Sequence, residues 1–128
     1  MPRPPMQYSA TVLDAPDPSA LASFYEQLLG WKRVADEPEW VQLQPPGGGF
    51  GLSFQSEPNF VAPTWPSVPG AQLMMLHLDI AVEDLDAGVQ WAVDAGARIA
   101  EFQPQDDVRV MLDPVGHPFC LFLGTVEQ

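Results

Sequence analysis

Hydrophobic and polar positions in the first half of the chain predict a strand, a helix and three further strands. Residues 8–14 are typical of a strand. The helix begins at Asp17-Pro18, because aspartate accepts bonds from first-turn N–H groups and proline suits the first helical position. Gly30 ends it in the conformation that glycine favours. One helical face is apolar, with Leu21, Phe24, Tyr25 and Leu28. Strands are predicted over 31–35, 39–44 and 50–55.

The second half of the chain repeats this order of elements. Residues 74–82 form a predicted strand, Asp84 caps a helix that runs to Ala95, and Gly96 ends it. Strands are then predicted over 97–102, 107–112 and 117–123. Trp91 has the place in this helix that Phe24 has in the first, so we expect it in the core.

This repeat predicts the fold class. We expect an α+β protein with two βαβββ modules that form a cupped mixed sheet around a shared cavity. The modules span about 8–55 and 73–124 of a single domain over 1–128, and the proline-rich segment 56–72 joins them. A connection of that length is uncommon, so it either crosses the surface or forms a lid.

The strand 74–82 has two faces of different chemistry. One face is apolar, as expected under a helix, whereas the other carries His77 and Asp79. In the last strand Cys120 alternates with Leu121 in the same way. The polar face therefore either lines a pocket or meets solvent, as one face of an antiparallel sheet often does.

The charge of the chain narrows the classes of partner. Seventeen acidic against five basic residues give a formal net charge of -12, which disfavours nucleic acid and anionic membranes. The acidity favours a cationic ligand, or serves solubility alone. One cysteine excludes an intrachain disulfide and fits a reducing cytoplasm, and the N-terminus shows no signal-peptide pattern.

Three motifs give the chain a family resemblance. They are Phe24-Tyr-Glu-Gln-Leu-Leu-Gly-Trp31, His77-Leu-Asp-Ile80 and Asp113-Pro-Val-Gly-His-Pro-Phe-Cys-Leu121. With the doubled βαβββ order, the chain resembles the vicinal oxygen chelate superfamily, which includes glyoxalase I, extradiol dioxygenases and bleomycin-resistance proteins. Its linker, with Pro63-Thr-Trp-Pro66, resembles a glyoxalase-like subfamily. The resemblance implies the fold and a homodimer, but the same fold supports isomerases, oxygenases and drug binders.

The resemblance also implies where a metal would be bound. Metal-bearing relatives place His, Gln or Glu on the first and last strands of each module, and those positions correspond here to Ala10, Gly51, His77 and Cys120. Alanine and glycine have no ligating side chain, whereas a catalytic metal needs about three protein ligands. A register shift of two residues would bring in Tyr8, Ser53 or Gln55 instead. We therefore expect no metal and no cofactor.

The remaining candidate residues each have two interpretations. His77 beside Asp79 is either a general base or ligand anchor, or a cavity-wall histidine. Cys120 is more typical of a small apolar residue than of a nucleophile. Arg109 clamps an anion if it points inward, and otherwise meets solvent. Trp65 either covers a ligand or anchors the linker.

Our leading hypothesis is a cytoplasmic, homodimeric, metal-free protein that binds a small molecule between its modules. The ligand-binding residues would be His77, Asp79, Trp65, Cys120 and Arg109, and the ligand cationic or aromatic. The alternative is a glyoxalase-like lyase or isomerase that uses His77 as a base or as a ligand of an atypical metal site. A third possibility is a structural or regulatory protein whose cavity is filled by side chains.

Overall fold

The computed structural model describes residues 2–127, which form two compact units. Unit 1 runs to Phe60 and unit 2 begins at Val61. Each unit has one helix and one four-stranded sheet with the order of elements that the repeat predicts. The α+β class and the doubled βαβββ order are confirmed.

Unit 1 begins with strand β1 (Ala10–Ala15) and helix α1 (Pro18–Leu29). Strands β2 (Lys32–Glu37), β3 (Trp40–Gln44) and β4 (Gly51–Ser56) follow. The sheet has the order β1-β4-β3-β2, in which β1 and β4 are parallel and the other pairs antiparallel.

The caps of α1 are those that the sequence predicts. The Asp17 side chain accepts bonds from the backbone N–H groups of Ser19 and Ala20. At the other end Gly30 has a φ of 70°, a left-handed conformation that glycine adopts without steric cost. The core of this unit lies between α1 and the sheet, where the Tyr25 ring stacks on Phe54 at 5.6 Å.

Unit 2 contains strand β5 (Leu78–Val82) and helix α2 (Leu85–Ala95). Strands β6 (Arg98–Ile99), β7 (Val108–Leu112) and β8 (Pro118–Leu123) complete it. The sheet order β5-β8-β7-β6 matches that of unit 1, again with a parallel first pair. β5 is shorter than predicted, because residues 74–77 lie outside the strand.

The prediction that Trp91 lies in the core is wrong. Its side chain is 59% exposed, whereas Phe24 of α1 is only 3% exposed. The reason is the close approach of α2 to its sheet: a Cβ added to Gly88 would lie 2.9 Å from a Val82 methyl group. Because α2 packs through small residues such as Ala92, it leaves no space beneath it for an indole ring.

Neither helix in the described part of the chain combines the length and apolar character needed to cross a membrane.

Candidate functional site

Three sequence-predicted residues of unit 2 meet on the sheet face that is opposite α2. Asp79 of β5 and Cys120 of β8 are direct partners in the parallel ladder, so their side chains leave the same face side by side. His77 immediately precedes β5, two residues before Asp79, and points to that face as well. The alternation of polar and apolar residues correctly predicts this common face.

The distances among these side chains are short. His77 Nε2 lies 3.0 Å from Asp79 Oδ1. The ligand atoms of His77, Asp79 and Cys120 all lie within 4.8 Å of one another. The His77 and Asp79 side chains are 37% and 62% exposed, so a molecule from solvent reaches both. An imidazole, a carboxylate and a thiol are therefore available together at one accessible place.

These three residues line a pocket of about 320 Å³ in unit 2. Its polar lining is His77, Asp79, Gln105, Asp107 and Cys120. Its apolar lining is Val108, Phe122 and Leu123. Two of these residues are aspartates and none is lysine or arginine, so the pocket favours positive charge.

Burial raises the pKa of the Cys120 thiol, and Asp79 raises it further through its negative charge and a hydrogen bond. Both causes favour the protonated thiol, since burial and a neighbouring carboxylate destabilise a thiolate. Because the thiolate is the nucleophilic form, Cys120 is poorly suited to nucleophilic catalysis at neutral pH.

Two other predicted site residues lie elsewhere in unit 2. Arg109 of β7 pairs with Leu121, on the sheet face opposite Cys120, and its guanidinium donates to the backbone carbonyls of Asp106 and Val108. Trp65 donates from Nε1 to the Phe102 carbonyl at 3.1 Å. Its indole thus ties the linker to unit 2, and it is not among the residues that line the pocket.

Part of the pocket wall consists of residues that were not predicted from the sequence. Gln105 belongs to the predicted turn, Asp107 is the first residue of the predicted strand 107–112, and Phe122 belongs to the predicted last strand, but none was predicted as a site residue. In the structure Asp107 immediately precedes β7. Phe122 could have been predicted from the sequence, because it lies two residues after Cys120 and residues two apart on a strand share a face. Nothing local in the sequence indicates that the turn bends toward Cys120.

The ladder of unit 1 corrects one of the four positions implied by the resemblance. In unit 1 Val12 pairs with Ser53, and in unit 2 Asp79 pairs with Cys120. The two pairs are equivalent, because Ser53 precedes Cys120 by the same number of residues as Val12 precedes Asp79. The counterpart of Cys120 is therefore Ser53 and not Gly51. The Ser53 side chain is buried, and its hydroxyl has no hydrogen-bond partner among the described residues.

The ligand set of metal-bearing relatives does not fit these residues. Ala10 offers no donor, and an uncharged serine hydroxyl is a weak substitute for the His, Gln or Glu used elsewhere. Only His77 and Cys120 remain from the four positions, and a thiol is poorly matched to hard metals.

A comparison with protein families matches residues 10–122 to the family described as glyoxalase-like domain. The chain belongs to this family. It is thereby a member of the vicinal oxygen chelate superfamily, as the three motifs indicated. A comparison with curated proteins gives no match.

Solved structures show the same fold for this glyoxalase-like protein. A glyoxalase-related enzyme from Fulvimarina pelagi is 25% identical, with a TM-score of 0.64 over 92% of this chain and 88% of that chain. A glyoxalase/bleomycin resistance protein/dioxygenase family enzyme from Burkholderia phytofirmans PsJN is 19% identical, with a TM-score of 0.64 over 88% and 94%. TnmS3, an antibiotic binding protein from Streptomyces sp. CB03234, is 20% identical, with a TM-score of 0.60 over 94% and 97%.

Proposed function

We propose that this glyoxalase-like protein binds a small organic molecule in the unit 2 pocket, without the catalytic metal of its metal-bearing relatives. The observation that carries the proposal is the meeting of His77, Asp79 and Cys120 in the lining of an accessible pocket of about 320 Å³. Small-molecule sites occupy roughly 300–1,000 Å³ and combine apolar walls with a few convergent polar groups. The fold shared with an antibiotic binding protein agrees with such a role.

The charges of the pocket select a cationic ligand. Asp79 and Asp107 line it, no lysine or arginine among residues 2–127 does, and Arg109 lies on the other face of the sheet. An ammonium or amidinium group would pair with a carboxylate, while the ligand's apolar part would contact Val108 and Phe122. The aromatic ring of Phe122 also suits a cation positioned over its face.

A matched series of ligands tests this proposal. Benzylamine, benzyl alcohol and benzoate share one ring but differ in charge, and elaborated amines of natural-product size extend the series. Isothermal titration should rank the cation first, with benzoate not bound. Asp107→Asn should weaken binding of the cation by roughly threefold to tenfold and not more, since the carboxylate is exposed to solvent.

Glu101→Gln is the matched control, because it removes one exposed carboxylate of unit 2 that does not line the pocket. If Glu101→Gln and Asp107→Asn weaken binding equally, the general acidity of the protein is responsible and the pocket is not. If no cation binds, the proposal is wrong.

A second candidate function follows from the His77–Asp79 pair. An imidazole that lies 3.0 Å from a carboxylate is a known arrangement for a general base. We propose as the alternative a glyoxalase-like lyase or isomerase in which His77 removes a proton adjacent to a carbonyl group. Turnover of thiohemiacetals of α-ketoaldehydes, abolished by His77→Gln but kept by His117→Gln, would favour this function over binding alone.

We further propose a cytoplasmic homodimer. The single cysteine and the family resemblance support this assignment, and a symmetric pair is the commonest assembly of small proteins. Sedimentation equilibrium of the full chain measures its mass in solution, and a monomer at every concentration would contradict the dimer.

A further inference from the structure

The donor atoms in the lining of the pocket have a chemistry of their own. His77 supplies an imidazole nitrogen, Asp79 a carboxylate oxygen and Cys120 a sulfur, all from one unit of the chain. We propose that these three side chains bind a thiophilic divalent cation of the zinc and cadmium class. This ligand set differs from that of the metal-bearing relatives. Asp79 is not one of their four ligand positions, and the proposed site does not use Ala10 or Ser53.

The spacing of the donors fits such an ion. Zinc bonds of about 2.0–2.3 Å at tetrahedral angles place neighbouring ligand atoms roughly 3.3–3.6 Å apart. His77 Nε2 and Asp79 Oδ1 are already 3.0 Å apart, and no pair of the three exceeds 4.8 Å. No separation therefore exceeds the tetrahedral range by more than about 1.2 Å.

The donor types decide which metal is favoured. Imidazole and thiolate suit zinc and its heavier congener cadmium, whereas magnesium and calcium require oxygen ligands. Three protein ligands leave one position of a tetrahedral ion open. Here that position would be open to the pocket, because the same three side chains line it.

One consequence rests on the proposed function. The groups that would hold a zinc-class ion are also the polar groups offered to an organic cation, so metal and cation should compete. The binding of the metal itself does not depend on any organic ligand.

The test is a titration of the full reduced chain with Cd²⁺ and with Co²⁺ as spectroscopic probes. We expect one ion per chain, a sulfur-to-metal charge-transfer band, and the visible bands of tetrahedral Co²⁺. Cys120→Ser should abolish the charge-transfer band. Asp79→Asn and His77→Gln should each weaken binding by at least roughly tenfold. The controls, His117→Gln and Glu101→Gln, should leave the metal affinity within about twofold, because neither residue lines the pocket.

A second measurement needs no substitution. Zn²⁺ should slow alkylation of Cys120 by iodoacetamide in the unaltered protein, whereas Mg²⁺ at the same concentration should not. Absence of both the charge-transfer band and this protection would overturn the inference, as would equal loss of affinity in His117→Gln and His77→Gln.

The two proposals fail separately. If Cd²⁺ binds but no organic cation does, the metal site stands and the proposed function falls. If organic cations bind and no metal does, the reverse holds. If both bind without competition, the shared-group consequence is wrong.

Discussion

The buried Asp113 side chain holds the turn from which β8, and with it Cys120, begins. It is fully buried, and its Oδ1 accepts bonds from the backbone N–H groups of Val115, Gly116 and His117 at 3.0, 3.0 and 2.9 Å. Asp113→Ala removes this acceptor. The Gly116 N–H keeps its bond to the backbone carbonyl of residue 113, whereas the N–H groups of Val115 and His117 lose their acceptor. We expect the substitution to destabilise unit 2 strongly.

The expected magnitude follows from these bonds. A hydrogen bond with a charged partner contributes about 1.5–3 kcal/mol, and three bonds to one oxygen contribute less than three times that amount, so we expect a loss of about 3–4 kcal/mol. Domains of this size have total stabilities of about 5–15 kcal/mol, so this loss is a large share. Asp113→Asn keeps an acceptor at the same place without the charge, and should cost about 1–2 kcal/mol.

Urea unfolding followed by circular dichroism measures both variants against the unaltered chain. The decisive result is the order of the free energies of unfolding. Asp113→Ala should have the lowest value, Asp113→Asn a higher one, and the unaltered chain the highest. A loss below about 1 kcal/mol for Asp113→Ala would show that water or a rearranged turn satisfies the N–H groups that lose the carboxylate, and would refute the reasoning.

Three further predictions follow from packing and charge. The apparent pKa of Cys120, measured from the rate of alkylation by iodoacetamide against pH, should exceed that of free cysteine, because burial and then Asp79 favour the thiol. Asp79→Asn should lower this apparent pKa. A Cys120 pKa at or below that of free cysteine in the unaltered chain would contradict the prediction. The folded state binds the proton of the Cys120 thiol more tightly than the unfolded state does. The resulting contribution to stability is complete below the pKa of the unfolded thiol. That contribution is lost as pH rises through the folded value. In urea unfolding, Phe24→Ala should lower the free energy of unfolding by about 3–5 kcal/mol and Trp91→Ala by only about 1 kcal/mol, because the Phe24 ring is buried and the Trp91 ring is exposed. Equal losses in the two variants would place Trp91 in the core. Arg33→Met should lower the free energy of unfolding by about 1–2 kcal/mol, because it removes the ion pair with Glu26 that ties β2 to α1, and a second pair with Asp36 within β2. Addition of 1 M salt should leave most of this difference in place.

The sequence alone determined the order of elements, because local physical chemistry fixes where they begin and end. Asp17 and Asp84 satisfy first-turn N–H groups, and Gly30 and Gly96 adopt backbone conformations that other residues avoid. The period of two along the strands likewise separated the polar face of His77 from the apolar face under the helix. These signals act over a few residues, so they can be read without knowing the fold.

Only the tertiary structure decided which candidates meet. The ladder register pairs Asp79 with Cys120 and shows Ser53, not Gly51, as the counterpart of Cys120, since register depends on contacts between distant segments. Packing also decided that Trp91 is exposed, because the separation of α2 from its sheet depends on Gly88 and Val82, residues on two different elements. The approach of Asp107 to the pocket is of the same kind, a property of the folded chain that no local pattern encodes.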